Sequence, residues 1–134
     1  MSADIICPWR IPRTFIQEHR EYAFLYSTNV FRQSYFGQAF SAAGEPNSFG
    51  IPVRFRFCKS NASSYFSDDQ FESSIKQIID EAFALVPLDK PIIPLHGIGT
   101  GSSELNRRAP KTFAYIHKRI SEIQYPNIKW NYYT

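Results

Sequence analysis

The alternation of apolar and polar positions divides the chain into five extended segments and two helices. Tyr22–Thr28 (YAFLYST) is apolar or aromatic nearly throughout, the pattern of a buried strand. Ile51–Phe57 (IPVRFRF) alternates: Val53, Phe55 and Phe57 share one face, Arg54 and Arg56 the other. Asn127–Tyr133 alternates in the same way, and this tail is either a strand or a contact with a second copy of the chain. Ile5–Pro8 is a short candidate. Pro91–Leu95 is short and apolar, and its two prolines lack N–H donors, which suits a strand end or a sheet edge. Ser67-Asp68-Asp69-Gln70 has the form of a capping box, with acid at the positive end of the helix dipole. Phe71, Ile75, Ile78, Ile79, Ala82 and Val86 follow at helical spacing until Pro87 stops the helix. A second helix starts at Pro110, a favoured first position, and buries Phe113, Ile116, Ile120 and Ile123.

Strands therefore alternate with helices, and Ile51–Phe57, Ser67–Val86 and Pro91–Leu95 together have the length of a βαβ unit. The expected fold is one α/β domain over residues 1–134, a small mixed sheet with helices packed against it, Rossmann-like or macro-domain-like. It is too short for a complete two-halved dinucleotide fold. With 134 residues, 43% hydrophobic and 20% charged, the chain has enough apolar material for a core and is not disordered by composition. A net charge of +3 suits an anionic small ligand and permits nucleic acid without arguing for it. Cys7 and Cys58 have no CxxC or His-rich companion, so neither a zinc site nor any other metal or cofactor is expected. A disulfide between them requires an oxidising compartment. No apolar run approaches ~18 residues, and the N-terminus lacks the layout of a signal peptide. A cytoplasmic, reduced protein is the expectation.

All six glycines fall in two places. Gly97, Gly99 and Gly101 follow strand Pro91–Leu95 and lead to a helix, where open α/β sheets bind ligands. The loop Gly97-Ile98-Gly99-Thr100-Gly101-Ser102 offers backbone amides that can converge on an anion, and Arg107 and Arg108 bring charge nearby. It is neither a Walker A loop nor a GxGxxG fingerprint. Replacing Gly99 by Val is expected to remove binding and spare the fold. The other cluster, Gly37, Gly44 and Gly50, lies in a 26-residue connection, Ser27–Pro52, long enough to suggest function. Its Asn29, Arg32, Gln38, Glu45 and Asn47 are polar groups suited to a ribose or base, and Tyr35, Phe36 and Phe49 are rings on which a base can stack.

The combination GQA at 37–39, GEPN at 44–47, GIP at 50–52, Phe66 with Asp68, GIGTG at 97–101, Leu105 and RAP at 108–110 resembles a family of small uncharacterised bacterial and phage proteins. The resemblance spans about residues 24–120, most of the chain. Ser27-Thr28 stand where that pattern has Gly-Asp, and Ser34 and Phe36 where it has glycines. The layout is also similar to that of macro domains, which bind ADP-ribose between an early glycine-rich loop and a late one. That likeness implies binding of a phosphorylated, nucleotide-type ligand such as ADP-ribose. For a phage-borne copy, sequestering a host nucleotide signal is the natural use.

Two other readings stay open. In the first, the site hydrolyses an ADP-ribosyl or nucleotide bond, with His96 beside the glycine loop as general acid or base and Glu45 as base on a ribose-bound water. No GxSxG elbow supports acyl chemistry, and His19 and His117 read as surface residues. In the second, Arg54 and Arg56, with Arg10, Arg13 and Arg20, form a basic patch of a nucleic-acid or protein interaction module.

Overall fold

The computed structural model describes residues 4–31, 37–56, 62–125 and 127–132. Arg32, Tyr35, Phe36, Phe57 and Cys58, all named above, lie outside these residues.

Among the described residues five strands form two parallel sheets. β2 (Ala23–Thr28) is the centre of a three-stranded sheet, with β3 (Ser48–Pro52) on one side and β4 (Ile92–Pro94) on the other. β1 (Ile5–Pro8) pairs with β5 (Ile128–Asn131). The two ladders approach through β4. Its bonds to β2 run through Pro91 and Leu95, which leaves the Ile92 carbonyl facing away to accept the amide of Tyr125 at 2.9 Å, just ahead of β5. The one antiparallel pairing among the described residues is the bridge between Arg54 and Tyr65.

Helices cover both faces. Ala23, Leu25, Ile51 and Ile92 point to one side, where they pack on Ile75, Ile79 and Phe83 of one helical stretch and Ile116 and Ile120 of another. Phe24, Ile93 and Leu95 point to the other, against Ile5, Cys7, Ile11, Ile16 and Ala42. A central strand with both faces buried must be apolar at successive positions, and Ala23, Phe24 and Leu25 are all fully buried. The protein is thus α/β, as its pattern of elements implies. No helix of the described residues is long and apolar enough to cross a membrane.

Three elements differ from expectation. Two six-residue helices, α1 (Arg13–Glu18) and α2 (Gly37–Ala42), have no clear apolar period. The helix after Ser67 has no capping box: a 3₁₀ turn (Asp68–Gln70) and a π turn (Phe71–Ile75) precede α3 (Lys76–Ala84), and the Ser67 side chain caps nothing. The Asp68 carboxylate instead reaches α5 (Pro110–Ile123), accepting the amides of Lys111 and Thr112 and the Thr112 hydroxyl, each at 2.9 Å. Lastly, β3 covers Ser48–Pro52, not Ile51–Phe57. Beyond Pro52 two more backbone bonds tie the chain to the end of β2, Val53 N–H to the Thr28 carbonyl at 2.9 Å and Val30 N–H to the Arg54 carbonyl at 3.1 Å, and Arg54, expected on the solvent face, is 5% exposed.

Candidate functional site

β2 hands the chain towards β3, and β4 hands it towards β5 on the opposite side. The outgoing connections of these two adjacent parallel strands diverge, and the position beyond the carboxyl ends of such strands is the usual ligand position in open α/β sheets. Thr28 and Asn29 follow β2 there, and His96 and the glycine loop follow β4. Thr28 Oγ1 and His96 Nε2 are each buried without a hydrogen-bond partner.

The glycine loop is held from below. Gly97, Gly99 and Gly101 have φ of +83°, +85° and +65°, values that favour glycine. Every carbonyl from Gly97 to Ser102 is engaged. Gly97 accepts from the Thr100 amide and hydroxyl, each at 3.1 Å, Gly99 from the Asn106 amide, and Gly101 from the Glu104 amide. Thr100 accepts from the Ser103 hydroxyl at 3.1 Å, and Ser102 from Arg54 at 3.0 Å. The Ile98 carbonyl accepts from His117 Nε2 at 2.7 Å, so His117 is a half-buried prop and not a surface residue. Five amides of the same stretch, those of Gly97, Ile98, Gly99, Gly101 and Ser102, have no acceptor among the described residues, while that of Ser103 lies in the 3₁₀ turn. Ile98, Gly99 and Ser103 are themselves buried.

Gly99 is a packing position, which corrects the expectation that Gly99→Val spares the fold. A Cβ there would sit 2.8 Å from the Phe113 ring and 3.2 Å from Leu105. Beneath the loop, Phe113 and His117 stand one turn apart on α5, their rings 4.3 Å from each other.

The charges nearby differ from expectation. Glu104, the single non-glycine residue with positive φ among those described (+50°), precedes α4 (Leu105–Arg108) and pairs with both Arg107 and Arg108, so neither guanidinium is free. Arg108 also lies 3.9 Å over the Tyr65 ring, and Arg54 sits at 5.9 Å from that ring. On the other flank, Arg10 follows β1, is exposed, and has no ion pair or hydrogen bond among the described residues. Beside it Trp9 stacks on His96 with centroids 4.4 Å apart and planes 7° from parallel. Burial, and then the charge of Arg10, hold the His96 imidazole below its ordinary pKa, so it is neutral at pH 7.

The polar residues of the first glycine cluster are not brought to the glycine loop; Asn29 is buried after β2 and lines the groove that Phe49 shares with Ile78 and Leu85. Gly37 and Gln38 open α2, where Gln38 exchanges two hydrogen bonds with the Ile11 backbone, at 2.8 and 2.6 Å. Asn47 is buried below α1, donating to the carbonyls of Ile16 and His19 at 3.0 Å and accepting from Arg20 at 2.6 Å. Glu45 accepts from Arg13, Gln17 and Arg20 at 3.0 to 3.2 Å, and these bonds, Gln17 foremost, hold its carboxyl below the usual range. Glu45 and Asn47 precede β3, at the amino end of the sheet, and in the structure Gln38, Glu45 and Asn47 serve as ties between elements of the fold. Glu45→Gln is expected to lower the melting temperature and to leave ligand binding at the glycine loop unchanged, which a paired melt and titration would check. Phe49 lines a groove of about 470 Å³ along β3, between Gly50 and Pro52 on one side and Ile78 and Leu85 on the other.

Sequence reasoning placed the loop and missed three parts of its setting: Trp9, Arg10 and the props on α5. Arg10 had been grouped with Arg13, Arg20 and Arg54, but Arg13 and Arg20 pair with Glu45 and Arg54 is buried, so that basic patch is not assembled. Among the described residues no group of His, Cys, Asp and Glu is placed to hold a metal ion. Cys7 is a free buried thiol, pushed up to about 11 by burial.

The fold and the loop define a small α/β protein with parallel sheets and a glycine loop after β4. Residues 7–119 match the model of a family of unknown function, DUF7831, and the chain belongs to that family. No curated protein and no solved structure matches the chain.

Proposed function

We propose that the protein binds a phosphorylated small molecule of nucleotide type, with ADP-ribose-like compounds first among the candidates, at the carboxyl end of the sheet. One observation carries this reading: the loop at 97–102 uses its carbonyls internally and leaves five amides without an acceptor among the described residues. A buried N–H left unpaired costs about 1–3 kcal/mol, and a phosphate oxygen is a partner that several such donors share. The reading takes the protein as cytoplasmic, in keeping with the reduced Cys7. A hydrolytic role has less support, because among the described residues no carboxylate orients His96.

The test is a thermal-shift titration with inorganic phosphate, AMP and ADP-ribose, run beside Ser102→Asp. Ser102 is exposed, so the variant folds normally and places a carboxylate among the amides. A ligand at ~100 times its dissociation constant adds about 2.7 kcal/mol and raises the melting temperature by several degrees. Wild-type protein should show this shift and Ser102→Asp should lose it. Equal shifts in both would sink the loop as the phosphate site, and no shift in either would sink the phosphate reading.

A further inference from the structure

We infer that the outer edge of β3 takes an extended segment of a partner protein as an added strand, and that this segment alternates apolar residues and carries a lysine or arginine. The site is separate from the glycine loop and does not rest on it. Among the described residues β3 is an edge strand, since it pairs with β2 alone. Phe24 N–H donates to the Asn47 carbonyl and Val53 N–H to the Thr28 carbonyl, both at 2.9 Å. In this parallel register Asn47, Phe49, Ile51 and Val53 turn their backbone groups to β2, and Ser48 and Gly50 turn their carbonyls outward. The Gly50 N–H and the carbonyls of Ser48 and Gly50 have no hydrogen-bond partner among the described residues. Edge strands are commonly guarded by charge, yet Ser48–Pro52 carries none, and Pro52 removes a donor only at its end.

The groove of about 470 Å³ along this edge is lined from both faces of the sheet. Phe49 packs with the core on the side of α3, where Ile78 and Leu85 also line the groove. Tyr26 and Gly50 line it from the other face, where a Cβ on Gly50 would meet Tyr26 and Thr28. A space bounded from both faces lies in the plane of the sheet, where the next strand sits ~4.8 Å away. A segment there bonds to Gly50 through its backbone and sends alternate side chains to each face. Two exposed apolar residues, Val30 at 37% and Leu85 at 61%, line the same groove. Charge selects the partner. Glu81 lines the groove, is exposed, and has a bond from Gln77 but no cation beside it among the described residues. A second copy docked edge to edge would bring a second Glu81 and no base, so the complement is a basic segment of another protein.

The probe is a fluorescein-labelled eight-residue peptide of alternating valine and threonine with one central lysine, titrated by anisotropy. It should bind wild-type protein with a dissociation constant below ~1 mM. Glu81→Lys should weaken it about 3-fold, and a glutamate in place of the peptide's lysine should reverse that order. Leu85→Asp should weaken it about 10-fold. Both positions are exposed, so these variants keep the fold, which melting curves check. Two measurements need only wild-type protein. The peptide methylated on alternate backbone nitrogens should lose binding, and the unmethylated peptide should slow hydrogen exchange at the Gly50 amide about 10-fold. No binding of the lysine peptide, or binding that leaves Gly50 exchange and both variants unaffected, would overturn the inference. A wild-type dimer that Leu85→Asp dissociates in sedimentation would overturn it too, by giving the edge to a second copy.

Discussion

Gly99→Val should unfold the protein about 10–15 °C below the wild type, a far larger effect than any other single change in the loop should have. Two costs add. At φ of +85° a β-branched residue is strained by roughly 1–3 kcal/mol. Its Cβ would also lie 2.8 Å from a ring carbon of Phe113, and Phe113 belongs to the core cluster that holds Leu105, Ile116 and Ile120. Overfilling a packed site typically costs about 1–3 kcal/mol. A total of about 3–4 kcal/mol in a domain of this size corresponds to the stated shift. Gly101 is the control: φ is +65° and nothing stands within 4 Å of a Cβ, so Gly101→Ala should cost only about 1 kcal/mol. Melting curves by circular dichroism compare the three proteins. Equal losses for the two variants would mean that backbone conformation alone, and not the seat on Phe113, governs Gly99. Loss of ligand binding in Gly99→Val would in any case report a damaged fold, which is why Ser102→Asp is the better probe of the site.

Where burial dictates apolar residues on both faces of a strand, the sequence was plain. Ala23–Thr28 and Ile92–Pro94 were found within a residue or two, and Pro110 marked the first residue of α5 as it should. The two six-residue helices were not visible, because a turn and a half leaves too few positions for a period to emerge. Ile51–Phe57 misled for a different reason. Its alternation is real, but a strand ends where its partner ends, and β2 stops at Thr28, opposite Pro52. Arg54 then falls into the protein to meet the Ser102 carbonyl.

The site shows the same limit more sharply. Glycines with positive φ can be guessed from their spacing, and the loop was. Which way its carbonyls face depends on Arg54, Asn106 and His117, none of them within the loop itself. Gln38, Glu45 and Asn47 looked like ligand readers because such side chains can bind either a ligand or the chain's own backbone. Their actual partners, Ile11, Arg13, Ile16 and Arg20, lie 25 or more residues away. Arg10 is legible only by subtraction, once Arg13 and Arg20 are seen to share Glu45. Many of the residues that carried the family resemblance thus build the fold: Gln38, Glu45, Asn47, Asp68, Leu105 and Pro110 tie or pack elements together.

Asp68→Ala is the second large effect, on stability and on its response to acid. Two orphan amides of the first turn of α5 and the Thr112 hydroxyl all depend on this one carboxylate, which comes from a segment more than 40 residues earlier. An ordinary N-cap is worth about 1 kcal/mol when replaced by Ala. Asp68 should be worth about 2 kcal/mol, because Thr112 is fully buried and its amide and hydroxyl lose their partner together. Asp68→Asn, which keeps one acceptor oxygen, should fall between. The pH dependence follows from the carboxyl itself. Burial raises its pKa, but the bonds from Lys111 and Thr112 outweigh burial, and the folded value lies below the ordinary 3.8. A depressed folded pKa stabilises the native state above the unfolded pKa, and this contribution is lost as pH falls through the folded one. The gap in melting temperature between wild type and Asp68→Ala should therefore hold steady from pH 7 to about pH 5 and narrow below about pH 4. Melts at four or five pH values in this range decide the matter. A gap that widens on acidification would show that Asp68 is neutral in the folded protein, and that α5 is held at its start by something other than this charge.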